Sequence, residues 1–184
     1  MYYGTTPGSH AQMQDAGNTT STTLTGVADC TIYYVTVRAY DTGGLESVSD
    51  SNSVKGYARP IVTSVNPNSI KQGETKSFTV SGTDFDMGVA GDATRPPARV
   101  KLSNPGLTVS NTQVTACGTI TLTIQAAANA ATGYSSLTVE NPDLTYTDPA
   151  SHPWVFGTLD SAINVVASGT DTTPPHVSST NPAA

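Results

Sequence analysis

Tyr33-Tyr34-Val35-Thr36-Val37-Arg38-Ala39-Tyr40 decides the fold class of this chain. Its alternation is strict. Tyr33, Val35, Val37 and Ala39 fall on one face, and Tyr34, Thr36, Arg38 and Tyr40 on the other. A period of two with β-branched and aromatic residues marks a half-buried strand, because successive side chains leave a pleated backbone on opposite sides. Thr42-Gly43-Gly44 then offers a turn, and Leu45 to Tyr57 is expected to return as the next strand. Upstream, Thr22-Thr23-Leu24-Thr25-Gly26-Val27 leads through Ala28-Asp29-Cys30 into the same strand.

Composition extends this reading to the whole chain. Of 184 residues, 36% are apolar and only 12% charged, both low for an intracellular globular protein. Thr and Val favour strands, while the abundant Gly, Pro, Asn and Ser favour turns. The expected class is all-β with many short strands, in one or two domains. The net charge is −6, and the eight Lys and Arg are scattered along the sequence. That pattern gives no electrostatic footprint for nucleic acid or anionic lipid. No apolar run approaches the roughly 20 residues that span a bilayer, so no membrane insertion is expected.

Catalytic signatures are equally sparse. The sequence holds no Gly-x-Ser-x-Gly elbow, no HExxH, no P-loop and no dinucleotide-binding glycine pattern. The two cysteines form no CxxC, and His10, His152 and His176 lie far apart. The chain is therefore expected not to be an enzyme and to carry no cofactor.

Particular stretches resemble known families. Leu24-Thr25-Gly26-Val27, the Tyr33-x-Val35-x-Val37-x-Ala39 strand, and Ala39-Tyr40-Asp41 followed by Gly44-Leu45-Glu46-Ser47 resemble the second half of a fibronectin type III domain. The resemblance implies that Tyr33 is a corner tyrosine whose hydroxyl bonds back to the preceding backbone. It also makes Tyr2-Tyr3-Gly4-Thr5 the end of that family's third strand, so Met1 reads as an internal residue and the first two strands as lying upstream. From Ser64 onward, Ser64-Val65-Asn66-Pro67-Asn68-Ser69, Gln72-Gly73-Glu74-Thr75 and Val80-Ser81-Gly82-Thr83-Asp84-Phe85 resemble the start of an IPT/TIG domain. Ala131-Thr132-Gly133 and Leu137-Thr138-Val139-Glu140-Asn141-Pro142-Asp143 resemble its far end, with Val165-Val166 closing the last strand.

Together these resemblances imply tandem immunoglobulin-like β-sandwiches, the first one incomplete. The implied division is a partial fibronectin-like sandwich over 1–58, a complete IPT/TIG-like sandwich over 60–168, and a linker with the opening of a further domain over 169–184. Asp86 to Pro97 and Leu144 to Gly157 read as lengthened loops. The implied role is a non-catalytic spacer, scaffold or adhesion module of a secreted or surface protein, bacterial in type, with extracellular assembly or a filament in view. The alternative is an accessory region, binding carbohydrate or protein, of a larger extracellular enzyme or redox protein. Implied partners are other chains or neighbouring domains, including whatever completes the front half-domain, and carbohydrate. The β-prone tail from Pro174 to Thr180 offers a strand for donation to a neighbour.

Candidate sites follow from residue chemistry. Asp84, Asp86 and Asp92 offer oxygen donors to calcium; the alternative is that each holds its own turn. Trp154, flanked by His152, Pro153 and Phe156, suits either sugar stacking or plugging of a sandwich end. Tyr34 and Tyr40 share a strand face with Arg38, as a contact surface or as cross-strand pairs. Asn18-Thr19-Thr20 is a glycosylation sequon, meaningful only in a eukaryotic secretory setting. Cys30 precedes the Tyr33 strand and Cys117 sits in a loop, Ala116-Cys117-Gly118; two exposed thiols on a secreted protein are liabilities unless oxidised, so an interdomain Cys30–Cys117 disulfide is one expectation and an intermolecular bond the alternative. The short Tyr57-Ala58-Arg59-Pro60-Ile61 junction has no Gly/Ser tract, and its proline predicts a semi-rigid connection.

Overall fold

Twelve strands and no helix make up the described residues of the computed structural model, which are 1–92, 95–142 and 154–169. The all-β expectation holds. The strands form three four-stranded sheets.

The front sheet takes β1 (Tyr2–Gly4), β2 (Gln12–Met13), β3 (Tyr33–Thr36) and β4 (Val54–Gly56), in the order β2-β1-β3-β4. The strand predicted from Tyr33 to Tyr40 is shorter than its alternation suggests, ending at Thr36. Beyond it the chain returns through an isolated bridge, Tyr40 to Glu46, and only Val54–Gly56 pairs as a strand. The burial also departs from the expected half-buried pattern. Val37 is 54% exposed, while the buried position of β3 is Thr36 on the opposite face. The physical reason is the absence of a covering layer: alternation sets up two faces, but only a second sheet makes one of them a core. On the Thr36 face the Arg38 guanidinium lies 4.9 Å from the Tyr2 ring and pairs with Glu46 and Asp50, while Tyr2 Oη bonds Glu46.

The other two sheets face each other. One has the order β5-β7-β10-β9, from Ile61–Asn66, Thr75–Thr83, Thr119–Ala126 and Leu107–Ala116. The second has the order β6-β12-β11-β8, from Ser69–Lys71, Trp154–Val166, Gly133–Pro142 and Arg99–Leu102, with β6 parallel to β12. Their inner faces read directly from the sequence. Ile120, Leu122, Ile124 and Ala126 alternate along β10, Phe78 and Val80 along β7, and Leu137 and Val139 along β11, all buried. Each such aliphatic or aromatic burial contributes about 1.5–3 kcal/mol. Gly82 and Gly157 are small because the Ile61 and Pro60 carbonyls approach them too closely for a side chain.

The predicted loop from Leu144 to Gly157 is corrected at its end: β12 begins at Trp154, pairing with Pro142, so Trp154 to Gly157 are strand. Residues 144–153, including His152, lie outside the described residues, as does the tail from 170 onward that was expected to open a further domain. No helix among the described residues is long and apolar enough to cross a membrane.

Candidate functional site

The site with the densest chemistry lies where the front sheet meets the sandwich. The β9–β10 hairpin turns at Cys117-Gly118. Two backbone bonds fasten that turn to the end of β7: Gly82 N–H donates to the Gly118 carbonyl at 2.9 Å, and Phe85 N–H to that of Cys117 at 2.6 Å. Gly118 must be glycine-sized, because a Cβ would meet the Gly82 carbonyl. The turn thus presents the Cys117 sulfur from a rigid base.

Cys30 approaches from the front segment and is bonded to Cys117, with Cα atoms 5.8 Å apart across 87 residues of sequence. Its backbone is left-handed, with φ of 65°. A non-glycine residue held there costs about 1–3 kcal/mol unless the surroundings impose it. Here the surroundings are the disulfide and Asp84, whose Oδ1 accepts the Cys30 N–H at 2.7 Å. Asp84 is itself left-handed and buried.

A buried polar network backs this contact. Asn141 on β11 accepts the Asp86 N–H at 3.0 Å and donates through Nδ2 to the Asp84 carbonyl, tying the two sheets of the sandwich together. Asp86 is fully buried, and Arg95 grips both of its carboxylate oxygens, at 3.0 and 3.2 Å. The Gly88 N–H supplies another donor to Asp86 Oδ1. A buried carboxylate is tolerable only with such partners. The Arg95 guanidinium lies 6.0 Å from the ring of Tyr57, and Tyr57 Oη is 3.5 Å from the Cys117 sulfur. Burial, followed by the nearby Asp86 and Asp84 carboxylates, raises the Tyr57 pKa and keeps its phenol neutral.

This geometry assigns structural duties to two of the calcium candidates. Asp84 Oδ1 accepts a backbone amide, both Asp86 oxygens accept from Arg95, and Asp92 shapes a turn through backbone bonds to Val89 and Arg95. The three candidates do not converge on one ion. The Cys30 and Cys117 sulfurs and an Asp84 oxygen lie within 4.8 Å of one another. Bonded to each other, however, the sulfurs have no thiolate to offer a metal.

The aromatic candidates lie apart. Tyr34 pairs between Gly4 and Lys55 within the front sheet, half-buried. Tyr40 is outside β3 and donates from its hydroxyl to Asp15 at 3.0 Å. Trp154 starts β12, half-buried, with the Arg99 guanidinium 3.7 Å from its ring centroid. Two residues on, Phe156 is 48% exposed and carries Arg59 at 5.2 Å.

Sequence reasoning treated the cations as scattered, yet the fold gathers three of them. Arg99 and Lys101 on β8 both bind Glu140 on β11, and Arg59 Nε donates to the Phe156 carbonyl at 2.6 Å. Burial pushes the Glu140 carboxyl up; the Arg99 and Lys101 hydrogen bonds outweigh it, and the net shift is downward. Strand register brings them together: Arg99, Glu140 and Phe156 are opposed across three strands.

Comparison with known proteins gives one family match. The family described as "Quinohemoprotein amine dehydrogenase, alpha subunit domain III" matches residues 59–145, somewhat less than half of the chain. Among solved structures, "Structure of surface layer protein SbsC, domains 1-6" shares 16% identity at a TM-score of 0.28, over 76% of this chain and 17% of that one. "Crystal structure of the S-layer protein rSbsC(31-844)" shares 17% identity at a TM-score of 0.29, over the same shares. The chain thus spans about a sixth of these proteins. No curated protein sequence matches it.

Proposed function

We propose that the chain is a non-catalytic structural module of a secreted or cell-surface protein, in which an incomplete front sheet is bolted to a complete sandwich. The observation that carries this reading is the Cys30–Cys117 disulfide between the two parts, seated on the Asp84–Asn141–Asp86–Arg95 network. Disulfides persist in oxidising compartments, which favours an extracellular setting. A rigid joint between β units is what a spacer or scaffold needs.

The finer family reading has support in detail. The Ala28 N–H donates to Tyr33 Oη at 3.0 Å, the back-bond a fibronectin-like corner tyrosine makes. The front face bearing Tyr3, Tyr33, Val35 and Val37 has no sheet over it among the described residues, which suits completion by a further segment or chain. A second reading, an accessory region of a larger redox enzyme, is favoured by the amine dehydrogenase domain match over 59–145.

Small-angle scattering tests the proposal. The oxidised chain is expected to scatter as one rigid body and to loosen on reduction. Freely reorienting parts in the oxidised protein would overturn it. Haem or quinone absorbance in the protein purified from its source would favour the second reading.

A further inference from the structure

We propose that the outward face of the β12-β11-β8 sheet is a docking surface for an acidic polysaccharide, one whose sugar rings carry carboxylates. The surface centres on Arg59, Arg99, Lys101, Trp154 and Phe156. It adds a ligand to the structural reading and stands independently of it.

Charge is the first argument. Among the described residues Arg59, Arg99 and Lys101 contact one carboxylate, Glu140, with Asp160 farther along β12, so the patch carries a net positive charge in a chain of net charge −6. Screening confines electrostatics to roughly 8–10 Å at physiological salt, so an anion at this face responds to the patch more than to the distant acids.

Preorganisation is the second argument. Each arginine lies against an aromatic ring and has its Nε committed, Arg99 to Glu140 and Arg59 to the Phe156 carbonyl. The terminal guanidinium amino groups are then the donors left for an incoming carboxylate, in the planar fork that suits it. Side chains already ordered lose little further entropy on binding. Lys101 adds an ammonium whose side chain is 57% exposed.

The shape selects the partner class. Trp154 and Phe156 sit two residues apart on one strand, about 6.6–6.8 Å, and the Thr138 and Thr158 hydroxyls meet beside them. A flat strip of ring edges, hydroxyls and cations offers a sugar chain apolar C–H contact and polar contact together. A stable protein partner needs a larger apolar centre. Nucleic acid draws its affinity from many phosphate contacts, for which three cations are few.

Native affinity electrophoresis through polygalacturonate tests the assignment, with dextran as the neutral polymer and a single-stranded oligonucleotide as competitor. Wild type is expected to be retarded by polygalacturonate and not by dextran, with retardation fading as salt rises. The Arg59→Gln/Lys101→Gln double variant is expected to bind at least about tenfold more weakly, or about 1.4 kcal/mol. Lys101→Gln alone, at an exposed side chain, gives the same direction if the double variant is unstable. Glu140→Gln is expected to bind more tightly. Absence of wild-type retardation, retardation unchanged by Lys101→Gln, or stronger binding of the oligonucleotide would each overturn the proposal. Failure here leaves the scattering test of the structural role untouched.

Discussion

The front sheet and the sandwich are built from the same kind of sequence, yet only one of them has a core. Every buried apolar residue among the described ones falls between Val62 and Val165. In residues 1–58 the buried positions are Gly4 and Thr36. Val37, which the alternation of the Tyr33 strand offers as core, and Leu45, Val48 and Val54 beyond it are all exposed by half or more. Alternation creates an apolar face, but burial requires a second surface within reach. The front sheet therefore depends on attachment, through the disulfide and the Asp84 network, where the sandwich depends on packing.

The sharpest way to break that contrast is to delete a large side chain from each part. Phe78→Ala empties a fully enclosed position and is expected to cost about 3–5 kcal/mol in urea unfolding. Val37→Ala removes a side chain already in solvent and is expected to stay within about 0.5 kcal/mol. Comparable losses would mean that the front sheet has a core of its own.

Next in size is the bolt. A Cys30→Ser/Cys117→Ser double variant is expected to lower the opening free energy of the front sheet by about 2–4 kcal/mol. Hydrogen exchange should record faster exchange at β1 and β3 amides, with β7 and β10 unchanged. If the front sheet keeps its protection, packing rather than the disulfide holds it.

The smallest effect concerns pH and belongs to the sandwich alone. Glu140 has a lowered pKa, the hydrogen bonds from Arg99 and Lys101 overcoming the cost of burial. Its folded form binds fewer protons than its unfolded form in mild acid. The stability it contributes is present above its ordinary value of 4.5 and is lost as pH falls through the lowered one. Glu140→Gln is expected to lower the melting temperature at neutral pH, by less than about 1 kcal/mol equivalent. That difference should close in acid. A gap that persists at low pH would assign the loss to packing.

Legibility tracked the range of the physics. Strand identity was readable because side-chain period is local: the alternation from Tyr33 declares a strand, although not which face is covered. Cys30 and Cys117 were readable as candidates for oxidation, but a bond between them and a bond to another chain stood equally open in the sequence. The roles of Asp84 and Asp86 were not readable, since a carboxylate near a turn serves equally as metal ligand, cap or ion-pair partner until its neighbours are placed. Arg95 is the partner of the Asp86 carboxylate, from 9 residues away, and the Cys30 N–H that of Asp84 Oδ1, from 54 residues away.

By itself, then, the sequence determined the β class, the turn positions and the capacity for one disulfide. All of these follow from near-neighbour geometry and side-chain chemistry. Only the tertiary structure decided that the Tyr33 strand stops at Thr36 with its apolar face uncovered, that Trp154 belongs to a strand, and that Arg59, Arg99 and Lys101 meet on one surface. Burial and charge clustering are properties of surfaces brought together, and no local pattern encodes which surface arrives opposite which.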